Sequence, residues 1–312
     1  MRILVFGAGA TGGYFGGRFL EAGIDTTFFV RPARAAKLRE TGLVIRSQFG
    51  DVSLPVPLAT QEAPGGPYDA VLLSCKAYGL ESALDALVPA LGPQTVIIPV
   101  LNGMRHLEAM ENRFGAHRIM GGLCLISASL DAEGRIIHHN DKHSVVFGER
   151  SGGISARTET LVAAMKPAKM DSRPSADIMQ EMWDKWVFLA PLAAVTCLMR
   201  STVGDVVNAA GPEFPMRFVE ECRTVAAAQG HPVAETQMTW IQTAVTNAAS
   251  PIMASMMRDI ERGGPVEADH VVGDMIRRGG GAHKSPLMQM AYLHLKAYEA
   301  RRAREAAVTV AG

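Results

Sequence analysis

The chain has 312 residues, 48% of them hydrophobic, and its 31 basic side chains cancel 31 acidic ones. At roughly 100–200 residues per domain this length gives about two domains with enough apolar surface for real cores, so a mostly disordered chain is excluded. Zero net charge leaves no global field to hold nucleic acid or an anionic membrane, and a small-molecule substrate becomes the expected partner. The four cysteines, Cys75, Cys124, Cys197 and Cys222, form no C-x-x-C pair or zinc spacing and fit a reduced, cytoplasmic setting.

The elements follow in chain order. Arg2 to Phe6 reads as a strand, Ala10 to Ala22 as a helix and Thr26 to Val30 as a second strand, a compact βαβ opening. The apolar run after Arg2 breaks at Gly7 and Gly9 with no small-residue cleavage site, so it reads as folded protein rather than a signal peptide. Ala70 to Ser74, Thr95 to Val100 and Ile119 to Ile126 extend an open, largely parallel sheet, with a helix over Leu80 to Leu91. Leu43 to Val56 and Arg135 to Gly148 read as hairpins or edge strands.

Beyond Arg173-Pro174 strand-like runs give way to segments rich in Ala, Met, Leu and Glu, which predicts domains at 1–173 and 174–312, the second nearly all helical. Its expected helices are Ala176 to Leu198, Glu213 to Gln229, Ala234 to Asn247, Pro251 to Arg262, Val266 to Arg278 and Pro286 to Ala307. Ser250-Pro251 and Ser285-Pro286 each place an N-cap before a proline suited to the first helical turn, and Gly279-Gly280-Gly281 reads as a helix stop. The longest uncharged apolar run, Val187 to Met199, contains Pro191 and is shorter than the roughly 18–20 residues of a bilayer span, so no transmembrane helix is predicted.

Gly7-Ala8-Gly9-Ala10-Thr11-Gly12 is a G-x-G-x-x-G set between strand and helix, the context of a dinucleotide fingerprint. In that motif the first glycine makes a tight turn, the second lets a pyrophosphate approach the backbone, and the third packs helix on strand. Where an NAD site ends its second strand with a carboxylate, this chain has Arg31, and Lys76 ends another strand on the same edge; both favour the 2'-phosphate of NADP. Ile178, Met182, Lys185 and Leu189 share one helical face, so Lys185 lies on an apolar stripe, either snorkelling at a rim or held in a desolvated cleft as a proton donor. Asn102-Gly103 follows a strand where doubly wound sheets gather their active groups, and Glu267 opens a helix. His138, His139 and His143 alternate in an extended segment with no cysteine or acidic cluster beside them, so no metal site is expected.

These residues together resemble the ketopantoate reductase (2-dehydropantoate 2-reductase) family over nearly the whole chain. The matching blocks are Gly7 to Gly13, Arg31, Cys75-Lys76-Ala77, Leu101-Asn102-Gly103-Met104, Trp183-Asp184-Lys185, and Ser255 to Ile260 leading to Glu267. The resemblance implies an α/β protein, a Rossmann-type doubly wound sheet joined to a helical domain like that of 6-phosphogluconate dehydrogenases, with NADPH and substrate between them. It implies Lys185 as proton donor, Glu267 as the carboxylate at the reacting centre, and Asn102 and Ser255 as contacts to substrate or the nicotinamide ribose. Arg31 and Lys76 match positions facing the adenosine end, and Ala128 matches a further cofactor contact. A homodimer is the expected assembly.

One departure concerns the substrate. Four and eight residues after the lysine, where the family often carries asparagines, stand Leu189 and Ala193, while Thr196 and Gly204-Asp205 keep the pattern. A substrate oxygen losing two amide partners would forfeit about 1–3 kcal/mol at each. The expected activity is thus NADPH-dependent reduction of 2-dehydropantoate. The alternatives are reduction of a bulkier 2-oxo acid, another carbonyl or an imine, and, from another class, a protein that senses NADPH without reducing anything.

Overall fold

The computed structural model describes residues 1–280 and 284–311, with side chains through 307. Gly281, the last residue of the expected glycine stop, lies outside the described residues. The chain separates into two compact units: Met1–Leu101 with His106–Met179, and Asn102–Arg105 with the residues from Gln180 onward.

The first unit is built on a five-stranded sheet, β1 (Ile3–Phe6), β2 (Thr26–Phe29), β5 (Leu58–Ala59), β6 (Tyr68–Leu73) and β7 (Leu91–Pro99), in the order β5-β2-β1-β6-β7. All four pairings are parallel. Their register puts Phe29, Phe6, Leu73 and Pro99 in one row, so Gly7, Arg31 and Lys76 all leave the sheet from the same carboxyl edge. Strand order reverses beside β1, and such a switch point is where doubly wound sheets take their ligands. Helix α1 (Ala10–Glu21) is almost wholly buried. It is covered on its other side by a second sheet, order β4-β3-β10-β9, formed by β3 (Leu43–Arg46), β4 (Val52–Leu54), β9 (Ala128–Leu130) and β10 (Ile136–His138). Side chains at Gly13 and Gly17 would strike Ile136 and Ile45 of that sheet, so the glycine-rich face of α1 is what admits it.

Two expectations for this unit fail. Ile119 to Ile126 does not extend the parallel sheet: Ile119 touches it through one bridge to Ile97, and β8 (Gly121–Leu125) joins a separate sheet with β11 (Ser144–Gly148) and β12 (Asp171–Pro174). Met120 donates to the Ile97 carbonyl, but the next bond of a parallel ladder would need an N–H from Pro99, which has none. Arg135 to Gly148 is neither a hairpin nor an edge. β10 pairs with β9 and β3, β11 pairs with β8 and β12, and the two strands lie inside different sheets. Leu43 to Val56 does form a hairpin, β3 against β4. Helices α2 (Pro32–Thr41), α3 (Leu80–Leu87), α4 (Arg105–Phe114) and α5 (Ala156–Met165) complete the series, and only α3 was expected.

In the second unit every element among the described residues is helical. It contains all but the first two residues of α6 (Ile178–Met199), then α7 (Val203–Ala210), α8 (Glu213–Ala228), α9 (Glu235–Thr246), α10 (Ser255–Glu261), a π-turn at Asp269–Gly273 running into α11 (Asp274–Arg278), and α12 (Pro286–Ala311). Helix α6 is long and apolar enough to cross a membrane by length and composition, but 67% of its most apolar window is buried inside the protein, as in a core helix. Ser285-Pro286 starts α12 as expected. Ser250-Pro251 starts no helix, and α10 begins only at Ser255. The Ser250 and Ile252 carbonyls instead accept from Gly204 and Val203, satisfying amides at the start of α7 that would otherwise lack partners. Helix α7 is an element beyond those expected from the sequence, and Thr202 and Asp205 form a capping box around its first turn.

Candidate functional site

On the first unit the candidate groups are chiefly backbone. Gly7 turns the chain out of β1 at φ +100°, a conformation that L side chains rarely adopt. A methyl on Gly12 would collide with the Gly7 carbonyl and with Ser74 Oγ, which donates to the Phe6 carbonyl at 2.9 Å. Gly9 is the N-cap of α1, accepts no side-chain cap, and has nothing within 4 Å of where a Cβ would stand. The N-terminus of α1 thus has open space at Gly9 and no side-chain cap, the setting in which helix amides can receive an anion. Ala8 is buried, and Ala10 and Thr11, the first residues of α1, are half-buried.

Arg31 is exposed at the N-cap of α2, with Pro32 fixing the first helical residue. A Cβ on Gly79 would stand 3.6 Å from its guanidinium, so Arg31 lies over the short turn that Lys76 caps. The Arg31 guanidinium is thus brought to the turn that follows Lys76 in the chain. Arg34, by contrast, is committed to structure: its guanidinium donates to the Ala8 and Gly134 carbonyls, each at 3.1 Å, and tethers the glycine loop. Ala128 opens β9 in the second sheet, paired with His138, and is not on the parallel sheet's edge.

The histidines of that region serve packing. His143 stacks on Phe49 at 3.8 Å and shares a 3.0 Å hydrogen bond with Tyr14, while His138 bonds Ser47. Among the described residues no three His, Cys, Asp or Glu side chains are arranged to hold a metal.

On the second unit the candidate groups are side chains from distant segments. Ile178 and Met182 on the lysine's stripe are buried, whereas Lys185 and Leu189 are half-buried, so the stripe opens toward solvent as it reaches the ammonium. Lys185 Nζ donates to Asn102 Oδ1 at 3.2 Å. The indole of Trp186 donates to the Val271 carbonyl in the π-turn at 2.9 Å, fixing the lysine's helix to the segment that Glu267 precedes. Glu267 is only 7% exposed. His270, also buried, hydrogen-bonds the Asn102 backbone, and burial pushes its imidazole below the ordinary histidine range although Glu267 and Asp274 pull the other way.

Ser255 is exposed at the first position of α10 and makes no hydrogen bond to this group. Thr196 ties α6 to the same segment by accepting from Ala254 at 3.3 Å. Ala193 is 2% exposed, so of the two positions that depart from the family's asparagines only Leu189 presents surface. A cavity of about 270 Å³ lies beside the π-turn, lined by Arg105, Asp269, Asp274, Arg277 and Tyr292 rather than by Lys185 or Glu267. Sequence reasoning missed His270 and Trp186. The Glu-x-x-His spacing of one helical turn, and a tryptophan beside the lysine, were the available signals.

The family description "Ketopantoate reductase PanE/ApbA" matches residues 3–152, and its C-terminal counterpart matches residues 177–299. The chain is 35% identical over 304 residues to an uncharacterized oxidoreductase, YkpB, of Bacillus subtilis, covering 97% of this chain and all of that one. It is similar to the crystal structure of 2-dehydropantoate 2-reductase from Methylococcus capsulatus, with a TM-score of 0.84, 26% identity, and coverage of 97% and 98% of the two chains. A D-mandelate dehydrogenase solved with NADH and anilino(oxo)acetate shares the fold, with a TM-score of 0.87 at 20% identity over 97% of this chain and all of that one. The chain belongs to the ketopantoate reductase family of oxidoreductases.

Proposed function

We propose that this protein is an NADPH-dependent reductase of a 2-oxo acid, with 2-dehydropantoate, reduced to pantoate, as its substrate. The observation that carries the reading is the half-buried Lys185 ammonium bonded to Asn102, both of them in the blocks shared with the family. The residues of the first unit fit the coenzyme: an open α1 N-terminus at Gly9 suits the pyrophosphate, and exposed Arg31 suits a 2'-phosphate. When bound, NADPH supplies the hydride that the substrate carbon receives. Lys185 gives a proton to the carbonyl oxygen as charge builds there, so C=O becomes CH–OH. Asn102 holds the ammonium in place, Ser255 orients the substrate, and Glu267 accepts from the product hydroxyl.

A second reading, a bulkier or more apolar 2-oxo acid, is favoured by the half-buried Leu189 on the lysine's own helix. The mandelate dehydrogenase of the same fold was solved with an aryl-bearing oxo acid. Oxidation of NADPH followed against 2-dehydropantoate and a panel of branched and aromatic 2-oxo acids separates the two. The highest kcat/KM on 2-dehydropantoate supports the first, and the highest on an aromatic acid supports the second. Oxidation with none of them would overturn both.

A further inference from the structure

Lys185, Asn102 and Glu267 have tasks in the reaction above, and His270 has none. His270 lies three residues after Glu267, inside the π-turn, and is 6% exposed. It grips one loop in two ways. Its imidazole donates to the Asn102 carbonyl. Its own carbonyl packs on Gly103, where φ is +76° and a Cβ would come within 2.8 Å of that oxygen. The Asn102 side chain leaves the same backbone and accepts from Lys185. Trp186, adjacent to Lys185, closes the circuit by binding the Val271 carbonyl, one residue after His270. The ammonium is therefore located by a ring of contacts through Asn102, His270, Val271 and Trp186, and His270 is its only member bonded to the Asn102 backbone. Irregular turns of this π type concentrate at functional sites, because a helix gains nothing from them alone.

We propose that His270 is a positioning residue for the reduction, holding the Asn102 backbone so that its side-chain oxygen fixes the Lys185 ammonium where the proton is needed. The inference rests on the function proposed above. It differs from a packing role in what it asks of the side chain: packing needs volume, whereas positioning needs an N–H aimed at Asn102.

The test uses the full chain with His270→Leu, His270→Gln and Gly103→Ala, and Lys185→Ala as the control on the functional reading. kcat and KM are measured on the best 2-oxo acid of the panel, NADPH affinity by fluorescence titration, and reductive methylation of Lys185 in nucleotide-free protein by mass spectrometry. His270→Leu is expected to lower kcat about 10–100-fold, as misplacement by an ångström does, with NADPH affinity within about twofold. Lys185 should be methylated about fivefold faster, the weight of one lost hydrogen bond, and His270→Gln should recover most of both effects. Should the leucine variant not fold, Gly103→Ala carries the test, since its methyl pushes the same loop off His270 and should reproduce the kcat loss. A leucine variant with parental kcat and parental labelling, while Lys185→Ala is inactive, overturns the role of His270; so does a glutamine variant that falls as far as leucine. Normal turnover by Lys185→Ala overturns the functional reading instead.

Discussion

The two units prepare for chemistry with different materials. The first presents backbone: amides at the start of α1, a left-handed Gly7 and one carboxyl edge whose rows are set by strand register. The second presents side chains from segments far apart in the chain: Lys185, Asn102 and His270, joined by hydrogen bonds through Asn102, with the buried carboxylate of Glu267 acting electrostatically on His270. A backbone site tolerates changes of side chain and fails when a Cβ is added. A side-chain site fails by truncation. This predicts where each half is fragile.

The largest effect should come from truncating the side-chain half. Lys185→Ala is expected to lower kcat by about two to four decades, the range for a lost general acid, while NADPH affinity stays within about twofold. Stopped-flow turnover and fluorescence titration measure the two quantities separately. Parental turnover in this variant would leave the second unit without a proton donor and dissolve the comparison.

On the first unit the one side chain expected to matter much is Arg31. Charge-assisted hydrogen bonds contribute about 1.5–3 kcal/mol, so Arg31→Ala should weaken NADPH binding about 10–100-fold and leave NADH binding unchanged. Equal losses for both coenzymes would show that the guanidinium serves the loop rather than a 2'-phosphate. Gly12→Ala tests the backbone half directly. Its methyl overlaps the Gly7 carbonyl and Ser74, and overpacking of this kind costs about 1–3 kcal/mol, readable as a lower Tm together with weaker NADPH binding. Wild-type Tm and affinity would mean that the loop is looser than its geometry requires.

The same division decides what the sequence reveals. Gly7, Gly9, Gly12 and Arg31 were legible because a βαβ unit places them by local spacing, and Lys185 because helical periodicity put it on an apolar face. The link between Lys185 and Asn102 spans 83 positions, and that between Trp186 and Val271 spans 85, so no local pattern encodes either. The π-turn has no sequence signature of its own. Ser250-Pro251 carries a real helix-start signal that tertiary structure overrides, because α7 claims its carbonyls. Pro99 could have warned that the parallel ladder stops there, since a missing N–H is visible in any sequence.

A smaller effect concerns substrate choice. Leu189→Asn restores an amide where the family often carries one, and should shift kcat/KM toward 2-dehydropantoate over an aromatic 2-oxo acid by about tenfold, the value of one good hydrogen bond. An unchanged ratio would place Leu189 away from the substrate. Because the change adds a polar group to a half-buried position, Tm should be read alongside it.

The smallest expected effect is on stability against pH. Burial lowers His143 in the first unit, and His270 and His294 in the second, below the ordinary histidine value of 6.5. In the unfolded chain these rings take up protons near that value, whereas in the fold they resist until the pH is lower. Between the two values the unfolded state binds more protons, so stability is full above about pH 6.5 and declines as pH falls through the folded values. The carboxylates held low, such as Glu149 beside Arg157, release their contribution only in more acid solution, so the histidine step stands apart from theirs. Tm recorded from pH 8 to pH 5 should fall across that step, and His270→Gln, which titrates nowhere in the range, should flatten part of it. A parental Tm that does not move over this window would mean that the folded rings protonate as readily as the unfolded ones, and that burial around His270 is too loose to hold the Asn102 loop.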